Sequence, residues 1–170
     1  TSRWRRLLPI GGYCLRVGGV SAIPASHSLR YTEYNGEVQW YMGLLEDVSF
    51  ATRWFGVTSH GKNGRMYFLG GRYLLRALPF ASVRGSAGIL GNNEIRANLF
   101  KHLNFQLPLL SILLTDVQGV CFLDVGAGFD QGHGPTREDM RPASLGGGLN
   151  LIGFVLQMSP VVFSIEVARR

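Results

Sequence analysis

Between Thr32 and Leu44 the side chains change character with a period of two. The even positions read Thr32, Tyr34, Gly36, Val38, Trp40, Met42 and Leu44, and the odd ones Glu33, Asn35, Glu37, Gln39 and Tyr41. Successive side chains of an extended chain point to opposite faces, so this run predicts a β-strand with one greasy, aromatic face and one polar face. After a short turn at Leu45-Glu46-Asp47 the pattern resumes, with Val48, Phe50, Thr52 and Trp54 set against Ser49 and Arg53.

The same alternation returns downstream. Asn93, Ile95, Ala97 and Leu99 alternate with Glu94, Arg96 and Asn98. Val117, Cys121, Leu123, Val125, Ala127 and Phe129 alternate with Gln118, Asp124 and glycines. Leu145, Leu149 and Leu151 oppose Ser144, Gly146, Gly148 and Asn150, and Val161, Phe163, Ile165 and Val167 oppose Ser164 and Glu166. A weaker early strand sets Tyr13, Leu15 and Val17 against Arg16 and Gly18. No helical period competes with these runs. The chain therefore reads as all-β, with about seven strands near 10–20, 32–44, 47–58, 88–100, 110–128, 144–155 and 160–168.

Alternation alone does not say which face meets water. In a soluble sandwich the apolar face packs on a core and the polar face is solvated. In a transmembrane barrel the apolar face meets lipid and the polar face lines a lumen. Composition favours the second arrangement: hydrophobic residues make up 46% of the chain and charged residues only 16%, against about a quarter in soluble domains. The polar faces carry glycine, asparagine, serine and single charges such as Glu94, Arg96, Asp124 and Glu166, and 23 of the 170 residues are glycine. Connections also alternate between short, near 44–47, 101–107 and 156–160, and long, near 21–31, 58–87 and 130–143, as in bacterial outer-membrane barrels. No run approaches the roughly 20 apolar residues of a membrane helix; Leu107–Leu114 is short and broken by Pro108 and Ser111. Any crossing is made by strands. A single-chain bacterial barrel closes with an even strand number, so seven strands imply an incomplete piece or one strand unread. The run Val161–Ala168, followed only by Arg169 and Arg170, and an opening at Thr1 with no apolar leader fit a portion of something longer.

Several other classes find little support. The net charge of +6 comes almost wholly from scattered arginines, with no interleaving of aromatic and basic residues of the kind nucleic-acid modules use. No nucleic-acid partner is expected. Cys14 and Cys121 are too few and too far apart for a disulfide framework or a zinc site, and both are placed on apolar strand faces as small buried hydrophobes. His27, His60, His102 and His133 all fall in predicted loops or turns. His133 lies near Glu138 and Asp139 but without metal-ligand spacing. No nucleophile elbow, phosphate loop or dinucleotide fingerprint is present. The chain is expected to be no enzyme, with no catalytic, cofactor-binding or metal residues.

The stretch from Met66 to Asn98 carries Tyr67-Phe68-Leu69-Gly70-Gly71, then Leu75-Arg76-Ala77-Leu78-Pro79, then Asn93-Glu94-Ile95-Arg96. Val117-Gln118-Gly119-Val120-Cys121-Phe122-Leu123-Asp124-Val125-Gly126 and Leu145-Gly146-Gly147-Gly148-Leu149 follow. In order and spacing this set resembles the C-terminal barrel of the BamA-type outer-membrane surface-antigen superfamily, over residues 33 to 168. In that family a Gly-Gly pair precedes an Arg-Gly-aromatic motif on a long loop that folds back into the barrel. Arg76 matches the motif arginine, five residues after Gly71, with Ala77 in place of the glycine and Leu78 in place of the aromatic residue. Val83-Arg84-Gly85 is a second match, with Ser86 where an aromatic residue is expected.

The resemblance implies that residues 1–170 are the C-terminal portion of one outer-membrane β-barrel domain, in a bacterial or organellar outer membrane, lacking its closing strand. It implies a role in inserting or translocating proteins, with membrane lipids, client barrel proteins and periplasmic accessory domains as partners. A passive pore or structural barrel, and a soluble ligand-binding barrel, stand as alternatives. The lumenal loop is expected around Gly70, Gly71, Arg76, Arg84 and Gly85. A guanidinium lowered into a lumen needs a carboxylate to receive it, and its planar fork suits a two-point contact. Glu94 and Asp124 are the expected receivers. Glu94 and Arg96 are also read as a cross-strand lumenal salt bridge of structural value, and Asp124, with Gly126 and Gly128, as a strand end.

Overall fold

A computed structural model describes residues 11–22, 30–107, 112–130, 143–155 and 159–170. Seven long strands form one antiparallel sheet. They are β1 (Gly12–Ala22), β2 (Tyr31–Gly43), β3 (Val48–His60), β6 (Ala87–Phe100), β8 (Ile112–Phe129), β9 (Ala143–Val155) and β10 (Ser159–Arg169), in the order β1-β2-β3-β6-β8-β9-β10. Each long strand pairs with the next long strand in the chain, which is the arrangement that hairpin connections dictate. The all-β, antiparallel expectation holds, and the seven alternating runs are the seven long strands. Among the described residues β1 and β10 are the sheet's two edges, and no pairing closes it into a barrel.

Three short strands were not foreseen. β4 (Tyr67–Leu69) and β5 (Val83–Gly85) form a small separate hairpin inside the long connection from β3 to β6. β7 (Phe105–Leu107) pairs with β8 at Ile112–Leu114, just beyond the point where β6 stops pairing. The stretch expected to be a turn at 101–107 is therefore a kink followed by strand. His102 and Asn104 take positive φ there, and the chain then resumes the ladder. The tight turn between β2 and β3 is as read: Leu44 and Leu45 N–H both donate to the Val48 carbonyl, at 2.8 and 3.1 Å.

Burial divides the two faces in the opposite sense to a soluble sandwich. The face bearing Tyr13, Leu15, Val17, Trp40, Trp54, Ile95, Leu123, Leu149, Ile165 and Val167 is exposed; Tyr13 is 86% and Val17 80% accessible. Asn92, Gln118, Asp124, Ser144 and Asn150, on the other face, are buried. Cys121 is exposed on the apolar face rather than buried, because no described residue covers that face there. Cys14 pairs in register with Gln39 and shares the polar face with Arg16, which corrects its expected placement: Tyr13 and Leu15 take the apolar side.

Around Asn92, Asp124 and Ser144 the polar face is buried beneath the β3–β6 connection, which folds over it. Its tip is compact: Gly71 N–H donates to the Leu78 carbonyl at 3.0 Å, Leu74 to Gly71 at 3.0 Å, and Leu78 to Leu75 at 3.0 Å. Leu75 and Leu78 pack with Leu69 and with Leu90 of β6 in a small apolar cluster. Leu75 is fully buried, seated where Gly126 of β8 carries no side chain.

Candidate functional site

Gly70 and Gly71 open the loop tip at φ 123° and 96°, a backbone region that glycine reaches without steric cost. A Cβ at Gly70 would strike the Pro79 carbonyl, so the two ends of the tip can close on each other only around glycine. The segment Leu74–Ala77 is thereby laid across β6, β8 and β9.

Two rows of sheet residues receive this segment. In the first, Asn92, Asp124 and Ser144 are direct neighbours on β6, β8 and β9. Asn92 Nδ2 donates to the Leu74 carbonyl at 2.7 Å, Arg76 N–H donates to Asp124 Oδ2 at 3.3 Å, and Ala77 N–H donates to Ser144 Oγ at 2.9 Å. Asn92 also donates to Asp124 Oδ1 at 2.9 Å, fixing the carboxylate's orientation. A buried loop must find partners for its backbone polar groups, and these three side chains supply them.

The second row is Glu94, Phe122 and Gly146, again direct neighbours. It receives the Arg76 side chain, which is 10% exposed. Its guanidinium pairs with Glu94 Oε1, lies 3.3 Å from Asp124 Oδ2 through Nε, and is within 3.7 Å of Glu166 on β10 through one terminal nitrogen. It also lies over the Phe122 ring, 3.8 Å from the centroid, in a cation–π contact. Arg96 holds the other Glu94 oxygen through Nε and a terminal nitrogen, at 2.8 and 2.5 Å, in a pair that runs along β6 and not across two strands as expected, because residues two apart share a face. Each carboxylate oxygen of Glu94 thus faces a different arginine.

Glycine again makes the space. A Cβ at Gly146 would meet the Phe122 ring tip at 2.6 Å and the backbone of β10, and one at Gly148 would meet Glu166 Cγ at 2.9 Å. The glycine run of β9 lets Phe122 lie beneath Arg76 and lets Glu166 reach toward it. Arg76 is therefore a latch that ties the loop to three strands at once.

The residues singled out from the sequence are distributed as follows. Arg76, Glu94, Arg96 and Asp124 are brought together. Gly70 and Gly71 shape the tip. Arg84 is exposed on β5, opposite Phe68, with no carboxylate beside it among the described residues, and Gly85 is buried where a Cβ would strike the Phe129 backbone. Leu78, standing where the motif expects an aromatic residue, is buried in the cluster with Leu75. Asp124 does not end its strand, since β8 continues to Phe129. Asn92 and Phe122 were missed. Asn92 precedes Glu94 by two positions, and Phe122 is a large apolar side chain two positions from Asp124 on a polar face; both parities carried the signal.

A second polar cluster ties the base of the loop to the sheet. Arg65 lies 3.5 Å from Glu33 of β2 and over the Tyr31 ring, and its N–H donates to Ser59 Oγ at 2.8 Å. Burial and the neighbouring Glu33 carboxylate push the Tyr67 phenol up to about 12. Among the described residues no three His, Cys, Asp or Glu side chains gather as a metal site. His133 lies outside the described residues.

Fold and site together define an antiparallel β-sheet with an exposed apolar face, whose polar face grips a folded loop through a buried arginine. Comparison with family models, curated proteins and solved structures returns no match to this chain.

Proposed function

We propose that these strands belong to a transmembrane β-barrel of the surface-antigen type in a bacterial or organellar outer membrane, where the protein assists insertion or translocation of other proteins. The observation that carries the membrane part is the reversal of burial: large apolar side chains of one face are exposed, while Asn92, Gln118, Asp124, Ser144 and Asn150 of the other are buried. A water-soluble chain would leave a large apolar patch in contact with solvent, whereas hydrocarbon makes that face the stable outer surface. The seven long strands, 11 to 18 residues long, reach or exceed the roughly 9–11 residues a tilted membrane strand needs. The five inner long strands are paired on both sides, so their backbone groups are satisfied within the sheet, as a spanning structure requires.

The assembly role rests on the resemblance and is supported by the latch. An arginine following a Gly-Gly pair is carried by its loop onto the polar face and held there by carboxylates. Such a loop occupies the lumenal side of the sheet, where it would stiffen the wall from which client strands are handled.

Reconstitution of the full-length protein in liposomes with an unfolded reporter barrel tests this reading. Arg76→Ala releases the loop and is expected to slow reporter insertion severely while the protein itself remains membrane-embedded. Unchanged insertion, with loop release verified by proteolysis, would overturn the assembly role. Insertion by neither form, with steady ion conductance by both, would assign the protein to the passive pores.

A further inference from the structure

Beside the latch lies a cavity of about 250 Å³ between the loop tip and the polar face of β3, β6 and β10. Four arginines line it, Arg53, Arg72, Arg76 and Arg96, with two glutamates, Glu94 and Glu166. We propose that this cavity binds an oxyanion, a carboxylate or phosphate group, through the unengaged guanidinium donors of Arg53 and Arg72.

Glu94 is fully engaged by Arg76 and Arg96, and Glu166 lies within ion-pair range of Arg76. Arg53 uses Nε on Glu37, at 2.6 Å, and its two terminal nitrogens make no hydrogen bond among the described residues. Arg72 has no acidic partner among the described residues; one terminal nitrogen donates to the Ser164 carbonyl at 3.3 Å, and its guanidinium lies 5.9 Å from the Tyr73 ring centroid. The wall thus offers two guanidinium forks with donors to spare; Glu94 is taken, and Glu166, 3.7 Å from Arg76, is paired with neither fork among the described residues. A planar fork with parallel N–H groups is matched by a carboxylate or phosphate in a two-point contact.

The size restricts the occupant. The volume lies below the roughly 300–1,000 Å³ of sites that enclose a whole small-molecule ligand. It suits a phosphate-sized anion or the end of an acidic side chain. The cavity opens on the face opposite the exposed apolar band, so the source of the oxyanion is the aqueous side and not a surrounding lipid headgroup. The inference stands on the donor arrangement and does not depend on the assembly role.

Calorimetric titration of the full-length protein in low-salt detergent solution tests it, with succinate and inorganic phosphate as probes and the neutral diamide succinamide as control. Both anions are expected to bind and the diamide is not. Arg72→Gln and Arg53→Gln are each expected to weaken binding about tenfold, the scale of one charge-assisted contact. Arg72→Lys, which keeps the charge but loses the fork, should hold phosphate better than succinate; it also serves if the glutamine variant loses its strand signal in circular dichroism. An Asp-containing pentapeptide that binds more tightly than its Asn twin assigns the oxyanion to a peptide side chain, and equal binding assigns it to a free anion. No binding of either anion, equal binding of the diamide, or wild-type affinity in both glutamine variants overturns the proposal.

Discussion

The polar face of the sheet is built in two ways, and the two halves can be compared directly. Over β6, β8, β9 and β10 it is covered by the loop, and its side chains turn upward to bind backbone and guanidinium groups that belong to another part of the chain. Over β1, β2 and β3 the loop touches only at its base, where Arg65 meets Glu33 and Ser59, and the other polar side chains bind each other. Arg16 and Arg53 both pair with Glu37, at 3.3 and 2.6 Å; Gln39 donates to Glu37 at 2.7 Å, and Tyr41 donates to Gln39 at 2.9 Å. The apolar face is exposed in both halves. The alternation that builds the sheet is thus common to both, and what distinguishes them is the third dimension: glycines that leave room, and acceptors spaced to meet an incoming loop.

The difference is energetic as well. In the β1–β3 half Arg16 is 67% exposed at its side chain, and such pairs contribute about 0–1 kcal/mol. In the covered half, removing one partner strands a buried charge, which costs about 3–5 kcal/mol. Arg76→Ala is therefore expected to destabilise the protein by about that amount and to open the loop to trypsin at Lys62, Arg65 and Arg72. Arg16→Ala should shift the unfolding midpoint little. Equal shifts in a denaturant titration would erase the distinction between the halves.

Glycine substitutions sharpen the same contrast at a smaller scale. Gly146→Ala forces a methyl group against Phe122 and the β10 backbone, an overpacking expected to cost about 1–3 kcal/mol. Gly36→Ala, on the exposed apolar face of β2, meets nothing within 4 Å and should leave stability nearly unchanged. Thermal unfolding followed by circular dichroism separates the two; a neutral Gly146→Ala would mean that Phe122 need not lie where it does for the loop to dock.

The smallest effect concerns the base of the loop. With its phenol raised to about 12, Tyr67 is expected to ionise last in an ultraviolet titration, and Tyr67→Phe should remove that final step. The ordinary value is near 10, so the folded state favours the protonated phenol. That contribution is fully present below pH 10 and is lost as pH rises through about 12. A Tyr67 phenol titrating with the exposed tyrosines would show that the loop base is open to water.

Much of this was legible in the sequence because a sheet with one apolar face writes itself as a period of two. Thr32–Leu44 and Val161–Val167 carry that period, and β2 and β10 follow it residue by residue. The same logic placed Glu94, Arg96 and Asp124 on the polar side. The hairpin of β4 and β5 was not legible, because three-residue strands are too short to show a period and their partner lies fourteen residues away across the tip. β7 was hidden by the kink at His102 and Asn104. Arg76 and Arg84 could not be ranked by motif alone, since each sits in a partial match. The choice follows from packing: Leu75 and Leu78 flank Arg76 and bury the tip beside Leu90 of β6, whereas Arg84 lies on the exposed side of its hairpin. Asn92 and Ser144 are polar residues of ordinary appearance whose importance comes from being neighbours of Asp124 on adjacent strands.

The central claim is that one face of this sheet meets hydrocarbon while the other holds the loop. Spin labels at single cysteines along β10, introduced after Cys14 and Cys121 are replaced by serine, measure it most directly in the bilayer-reconstituted protein. The account predicts that Phe163, Ile165 and Val167 are accessible to oxygen and shielded from a water-soluble nickel complex. Ser164 and Glu166 should be poorly accessible to oxygen and gain accessibility to nickel when Arg76→Ala frees the loop. Nickel accessibility at Phe163, Ile165 and Val167, or the absence of a period of two, would contradict it.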